Sequence, residues 1–136
     1  MEQNADLVAQ AIKGSLSIIV QDRERKIVEK RFGLCGQKET LEQIGETLSV
    51  TRERVRQLEK VIIVRLRIAA SHGKIPNLPA AEKLIIRNLA ELGRVAKVAT
   101  LAEKIFGDKA TNADRASLSF LADISSNLTV VTENDK

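Results

Sequence analysis

The amino-acid sequence predicts a mainly α-helical protein, and three observations predict it. Apolar residues recur at three- and four-residue spacing through most of the chain. Two such stretches open on a Thr-x-x-Gln or Thr-x-x-Glu capping box. Gly or Pro stands where the periodicity stops. The longest purely aliphatic runs, such as Val61–Val64, are four residues, far short of a membrane span.

Composition excludes several function classes. The 136 residues have a mass of 15.0 kDa and are 43% hydrophobic, with three Phe and neither Tyr nor Trp. Base-stacking sheets and grooves need aromatic residues, so those routes to RNA or single strands are closed. A lone cysteine, Cys35, rules out an internal disulfide framework and a cysteine-rich zinc site. One histidine, His72, cannot build a histidine metal cluster. No nucleophile–base pair or phosphate-loop glycine spacing is present, so no catalysis, metal or cofactor is expected. The acidic start, Met1-Glu2-Gln3-Asn4-Ala5-Asp6, is unlike a signal peptide, and a soluble cytoplasmic protein is expected.

Gly73, Pro76 and Pro79 punctuate the chain and predict a linker over 73–79 between domains at 1–72 and 80–136. Charge follows the same division. Through Lys74 there are 14 Lys and Arg against 10 Asp and Glu; from Pro76 onward there are 8 against 8. The whole net charge of +4 thus lies in the first part. Arg52, Arg54, Arg56, Lys60, Arg65 and Arg67, against Glu53 and Glu59, concentrate it in one segment suited to phosphate.

In the first part, Leu7, Val8, Ala11 and Ile12 predict a helix from Ala5 to Gly14, followed by a connector over Ser15–Val20. Asp22 is the expected N-cap of a helix to Phe32, with Gly33 at its C-cap. Thr40-Leu41-Glu42-Gln43 opens a third helix as a capping box, with Leu41, Ile44 and Leu48 facing inward. Ser49-Val50 leaves room only for a tight corner, and Thr51 caps a fourth helix to about Ala70. Two helices joined this closely make a helix-turn-helix. Gly45 is expected to let their backbones approach, with Val50 and Val55 sealing the angle.

On the fourth helix, Val55, Leu58, Ile62 and Leu66 share an apolar arc of about 80°. Arg52, Glu53, Arg56, Gln57 and Lys60 lie opposite. Arg suits guanine, Gln suits adenine and Glu accepts from the cytosine amino group, which points to major-groove reading of double-stranded DNA. Ile63 and Val64 fall on the same side one turn further on, and the expectation is that the second part or a partner covers them.

Three runs stand out: Arg23-Glu24-Arg25-Lys26-Ile27-Val28-Glu29-Lys30-Arg31-Phe32-Gly33-Leu34, then Thr40-Leu41-Glu42-Gln43-Ile44-Gly45, then Val50-Thr51-Arg52-Glu53-Arg54-Val55-Arg56-Gln57-Leu58-Glu59. On these runs, residues 5–69 resemble region 4 of bacterial primary-type sigma factors. The resemblance implies a four-helix module whose last helix lies in the major groove of a promoter −35 element. By match of position Arg52, Glu53 and Gln57 would read bases, Arg56 would contact base or phosphate, and Arg54 the adjacent backbone. With the helix face taken into account, the expected base readers are Arg52, Glu53, Arg56 and Gln57, and Thr51, Arg54, Lys60 and Arg65 are expected on the backbone. The resemblance also implies RNA polymerase as partner, through the β flap and the apolar surface of the first two helices. Two departures stand out: Gln21-Asp22 replaces the family's Thr-Pro, and Lys60-Val61-Ile62-Ile63-Val64 replaces a basic continuation. Nothing resembles the sigma module that opens the −10 element.

For the second part the pattern predicts a helix over Ala80–Leu92, a strand over Arg94–Val98 and a helix from the Thr100-x-x-Glu103 box to Phe106. A helix from about Asn112 buries Leu118, Leu121 and Ile124, and a strand follows over Leu128–Thr132. That order is a small winged-helix-like domain and resembles the one in the polymerase δ subunit. Ending at Lys136, where a wing's returning strand would begin, it reads as cut short. Its zero net charge suits a protein-contact or spacer role. Two alternatives stand beside promoter reading: an adaptor that binds polymerase or an anti-sigma partner with incidental DNA contact, and the targeting arm of a longer enzyme.

Overall fold

A computed structural model describes residues 2–129, and among them the chain forms seven α-helices and no strand. They are α1 (Glu2–Ile18), α2 (Asp22–Phe32), α3 (Leu41–Leu48), α4 (Arg52–Ser71), α5 (Leu78–Glu91), α6 (Val98–Phe106) and α7 (Asn112–Ile124). The mainly α expectation holds.

Local chemistry explains most boundaries. Gly33 ends α2 at φ 74°, and the Thr40–Gln43 capping box opens α3 with both of its hydrogen bonds formed. Thr111 and Asp114 make an equivalent box at α7. Four expectations need correction. First, α1 continues past Gly14 to Ile18, its Ser15 and Ser17 hydroxyls donating back to the Ala11 and Gly14 carbonyls. Second, Gln21, with no side-chain bond, occupies the N-cap of α2, and Asp22 lies inside the first turn, paired with Lys26 at 3.2 Å. Third, α6 begins at Val98 with Lys97 as N-cap, so the Thr100 box lies within the helix.

The fourth correction concerns the strand expected over Arg94–Val98. Gly93 and Arg94 both take positive φ, 87° and 73°, and Arg94 N–H bonds back to the Leu89 carbonyl. The segment is a helix-ending turn with no neighbouring strand to satisfy an extended backbone. Leu128 and Thr129 are irregular, and the rest of the strand expected over Leu128–Thr132 lies outside the described residues.

Packing assembles two groups of helices. In one, α2, α3 and α4 pack on one another; in the other, α1 packs on α5, α6 and α7. Asn4 Nδ2 donates to the Ile105 carbonyl at 3.0 Å and ties α1 to α6. Gly14 is where α1 meets the turn before α5: a Cβ there would stand 2.0 Å from the Pro76 carbonyl oxygen. One apolar cluster, with Ile27, Ile44, Ile62, Leu66, Ile75, Leu78, Phe120 and Leu121 fully buried, runs through both groups. Phe32 of α2 and Phe120 of α7 meet edge to face, their ring centres 5.0 Å apart at 71°.

Candidate nucleic-acid interface

The α3–α4 corner rests on one glycine and two caps. Ser49 ends α3 in the left-handed region at φ 61°, and Val50 N–H returns to the Gly45 carbonyl at 2.9 Å. An added Cβ on Gly45 would stand 2.6 Å from the Val50 carbonyl oxygen, so the backbone approach expected here is real. Thr51 Oγ1 accepts from Arg54 N–H at 3.1 Å and starts α4. That bond uses the hydroxyl as acceptor and leaves its proton free to be donated outward.

From this corner α4 buries Val55, Leu58, Ile62, Ile63 and Leu66. Thr51, Arg52, Glu53, Arg54, Arg56, Gln57, Lys60 and Arg65 are all exposed. Two ion pairs from α2 brace the helix: Arg31 Nε with Glu59 at 3.2 Å, and Arg65 Nη1 with the nearly buried Glu24 at 3.4 Å.

Charges on the outer face are partly organised among themselves. Arg56 grips Glu53 through Nε at 3.0 and 3.2 Å and Nη2 at 2.6 Å. The Arg56 hydrogen bond is the main reason that the Glu53 carboxyl lies below its ordinary pKa, and the same bond raises Arg56. Arg52 reaches across the corner to Glu42 of α3 at 3.4 Å. Arg54 and Lys60 have no ion-pair partner among the described residues. Arg52, Glu53, Arg56, Gln57 and Lys60 therefore share one open face. Arg54 and Arg65 lie on its far flank, with Arg65 turned toward α2. The Arg52–Glu42 pair crosses a loop, so its spacing leaves no periodic signal in the sequence.

Beyond Lys60 the expected covering is half realised. Ile63 is 7% exposed and belongs to the core shared with α7, whereas Val64 is 44% exposed. Arg67, on the same side as Ile63, binds α7 by Nη2 to Asp123 Oδ1 at 2.8 Å and by Nε to the Asp123 carbonyl at 2.9 Å. Cys35 is exposed, and the His72 ring bonds the Ile68 carbonyl at the end of α4. Among the described residues no three His, Cys, Asp or Glu gather as metal ligands, and no helix is long and apolar enough to cross a membrane.

Residues 20–67 match the family described as Sigma-70, region 4. The chain is similar to "RNA polymerase sigma factor RpoD" of Helicobacter pylori strain 26695, with 45% identity over 58 residues, 41% of this chain and 8% of that protein. It is also similar to "RNA polymerase sigma factor SigA1" of Synechococcus elongatus, with 41% identity over 63 residues, 46% of this chain and 16% of that protein. For "RNA polymerase sigma factor SigA4" of the same organism the identity is 39% over 56 residues, 40% of this chain and 18% of that protein. The chain thus spans less than a fifth of the length of these relatives. The family match begins at Val20, after α1, and contains the whole α3–α4 corner.

Proposed function

From a sigma-70 region 4 module over residues 20–67, we propose that this protein binds double-stranded DNA in bacterial transcription, laying α4 in the major groove of a −35-like element. One observation carries the reading: Arg52, Glu53, Arg56 and Gln57, at the start of a helix set by a tight corner, are all open to water on one face. Arg52 and Arg56 supply paired donors for guanine, Gln57 matches adenine and Glu53 accepts from cytosine. Thr51, Arg54, Lys60 and Arg65 hold phosphates, Arg65 by exchanging Glu24 for a phosphate oxygen. Arg56 likewise leaves Glu53 when it meets a base. The action is binding without chemistry.

RNA polymerase is the proposed partner, because one module of this size buries only about 600–1,000 Å² on DNA and needs help to bind tightly. Contact with the β flap was expected to use the first two helices. Since α1 turns its apolar side to α5–α7, that role falls to α2 and its neighbours. The group of α1 with α5–α7 serves as a spacer or protein-contact unit.

The test compares a duplex bearing a −35-like hexamer with a scrambled duplex over a range of salt. Arg52→Ala and Gln57→Ala relax the preference at particular base pairs by about 1–3 kcal/mol each. Lys60→Ala weakens both duplexes alike and lowers the salt slope by about one. Equal binding to both duplexes, with polymerase still retained, would leave the adaptor reading in its place.

A further inference from the structure

The second half of α4 carries a feature that DNA reading does not use. Val61, Val64 and Ile68 are 46%, 44% and 54% exposed, and they form an aliphatic strip on the outer side of the helix. Phosphate needs cations or donors in that place, so the strip is unsuited to a DNA backbone. Its spacing of three and then four residues is that of the a, d and a positions of a heptad, with β-branched residues throughout. In that register Lys60 and Arg67 occupy g positions and Arg65 an e position, so every flanking group is basic.

Across Arg65 the surface dips into a cleft of about 190 Å³ lined by Ile19, Val20, Glu24, Ile62 and Leu66. Val20, 85% exposed, forms its rim. Two apolar features therefore lie on either side of one guanidinium, which is already close to a carboxylate, that of Glu24, at 3.4 Å.

We propose that this face is a protein-docking surface for an amphipathic helix whose apolar stripe is flanked by Asp or Glu. The partner's stripe lies along Val61, Val64 and Ile68, and one of its apolar side chains enters the Val20 cleft. Its carboxylates meet Lys60 and Arg65. A second copy of this chain fits poorly, since pairing α4 with α4 sets Lys60 and Arg65 against their own kind. The docking face adjoins the DNA-reading face without sharing its residues, apart from Lys60 and Arg65 at the border, and does not depend on base recognition.

Fluorescence anisotropy with the full chain and three labelled helical peptides tests this: one with Leu at a and d and Glu at e and g, the same peptide with Lys at e and g, and a scrambled acidic one. The Glu-flanked peptide should bind, and the other two should bind at least about tenfold more weakly. Val61→Ser with Val64→Ser should weaken it by about tenfold while leaving the melting temperature and the duplex preference unchanged. Arg65→Glu should shift preference toward the Lys-flanked peptide. Absence of binding, equal binding of the Glu- and Lys-flanked peptides, or an unaffected double variant each overturns the proposal. So does sedimentation showing a dimer that the double variant dissolves, because the occupant is then a second copy.

Discussion

Arg67 and Asp123 are joined twice, once through the carboxylate at 2.8 Å and once through the backbone carbonyl at 2.9 Å. The pair pins the end of α7 against the side of α4 that carries Arg52 and Arg56 further up. Together with buried Ile63 it closes that side of α4 beyond Lys60, while Arg65 stays open on the opposite flank. Half-exposed ion pairs of this kind are worth about 0.2–1 kcal/mol, and a double-mutant cycle on Arg67→Ala and Asp123→Ala should return a coupling in that range. Asp123→Ala also removes a carboxylate from beside the proposed DNA face and leaves the Arg67 guanidinium held by the backbone carbonyl alone. Affinity for every duplex should rise alike; unchanged affinity would place the end of α7 away from DNA.

Ile63 and Val64 are neighbours with opposite fates. Ile63 sits in the core shared by α4 and α7, so Ile63→Ala should cost about 2–5 kcal/mol in urea unfolding. Val64 faces outward, and Val64→Ser should stay within about 0.5 kcal/mol of the parent chain. A similar loss from both would mean that something covers Val64 as well.

The contrast between these neighbours shows what the sequence makes legible. Helix periodicity places both on one side of α4, but the packing of the other helices decides which is covered, and that is a tertiary fact. The α3–α4 corner was readable because its devices are local: the Thr40–Gln43 box, Gly45 and Thr51 act within six residues of what they shape. The end of α1 was not, because Gly14 looks like a stop and is instead an accommodation to Pro76, far along the chain. Arg94–Val98 has the residue types of a strand, yet it lacks a neighbour to pair with. The pairings of Arg52 with Glu42 and Arg67 with Asp123 span 10 and 56 residues and leave no periodic trace. Exposure of Arg52, Glu53, Arg56 and Gln57 follows from the amphipathic pattern alone; their base contacts remain a proposal.

The two helical glycines reverse the usual effect of Gly→Ala. In an unconstrained helix interior the change stabilises by roughly 0.8–1 kcal/mol. At Gly45 and Gly14 the new Cβ would meet backbone carbonyl oxygens at 2.6 and 2.0 Å, and backbone cannot swing aside as a side chain can. Both variants should therefore lower the unfolding midpoint. Gly45→Ala should also weaken duplex binding, since it opens the angle between α3 and α4, whereas Gly14→Ala should disturb the seat of α1 on the α5 turn and spare DNA contact. Stabilisation by either would mean that the backbones lie further apart than described.

The pairing of Glu53 with Arg56 sets a pH window. Its hydrogen bond from Arg56 holds the Glu53 carboxyl below its ordinary value of 4.5. A carboxyl depressed in the folded state stabilises fully above its unfolded pKa and loses that contribution as pH falls through the folded value. The pair is thus complete at neutral pH and dissolves only below about 4.5. A carboxylate carbon-13 titration should place the Glu53 midpoint below 4.5, and Arg56→Ala should return it toward that value. In the proposed reading Arg56 exchanges Glu53 for a base at neutral pH. Glu53→Gln removes that exchange and one negative charge, so it should tighten binding to all duplexes while erasing discrimination at the base pair proposed for Glu53. Tighter binding with discrimination intact would show that Glu53 orients Arg56 and reads nothing itself.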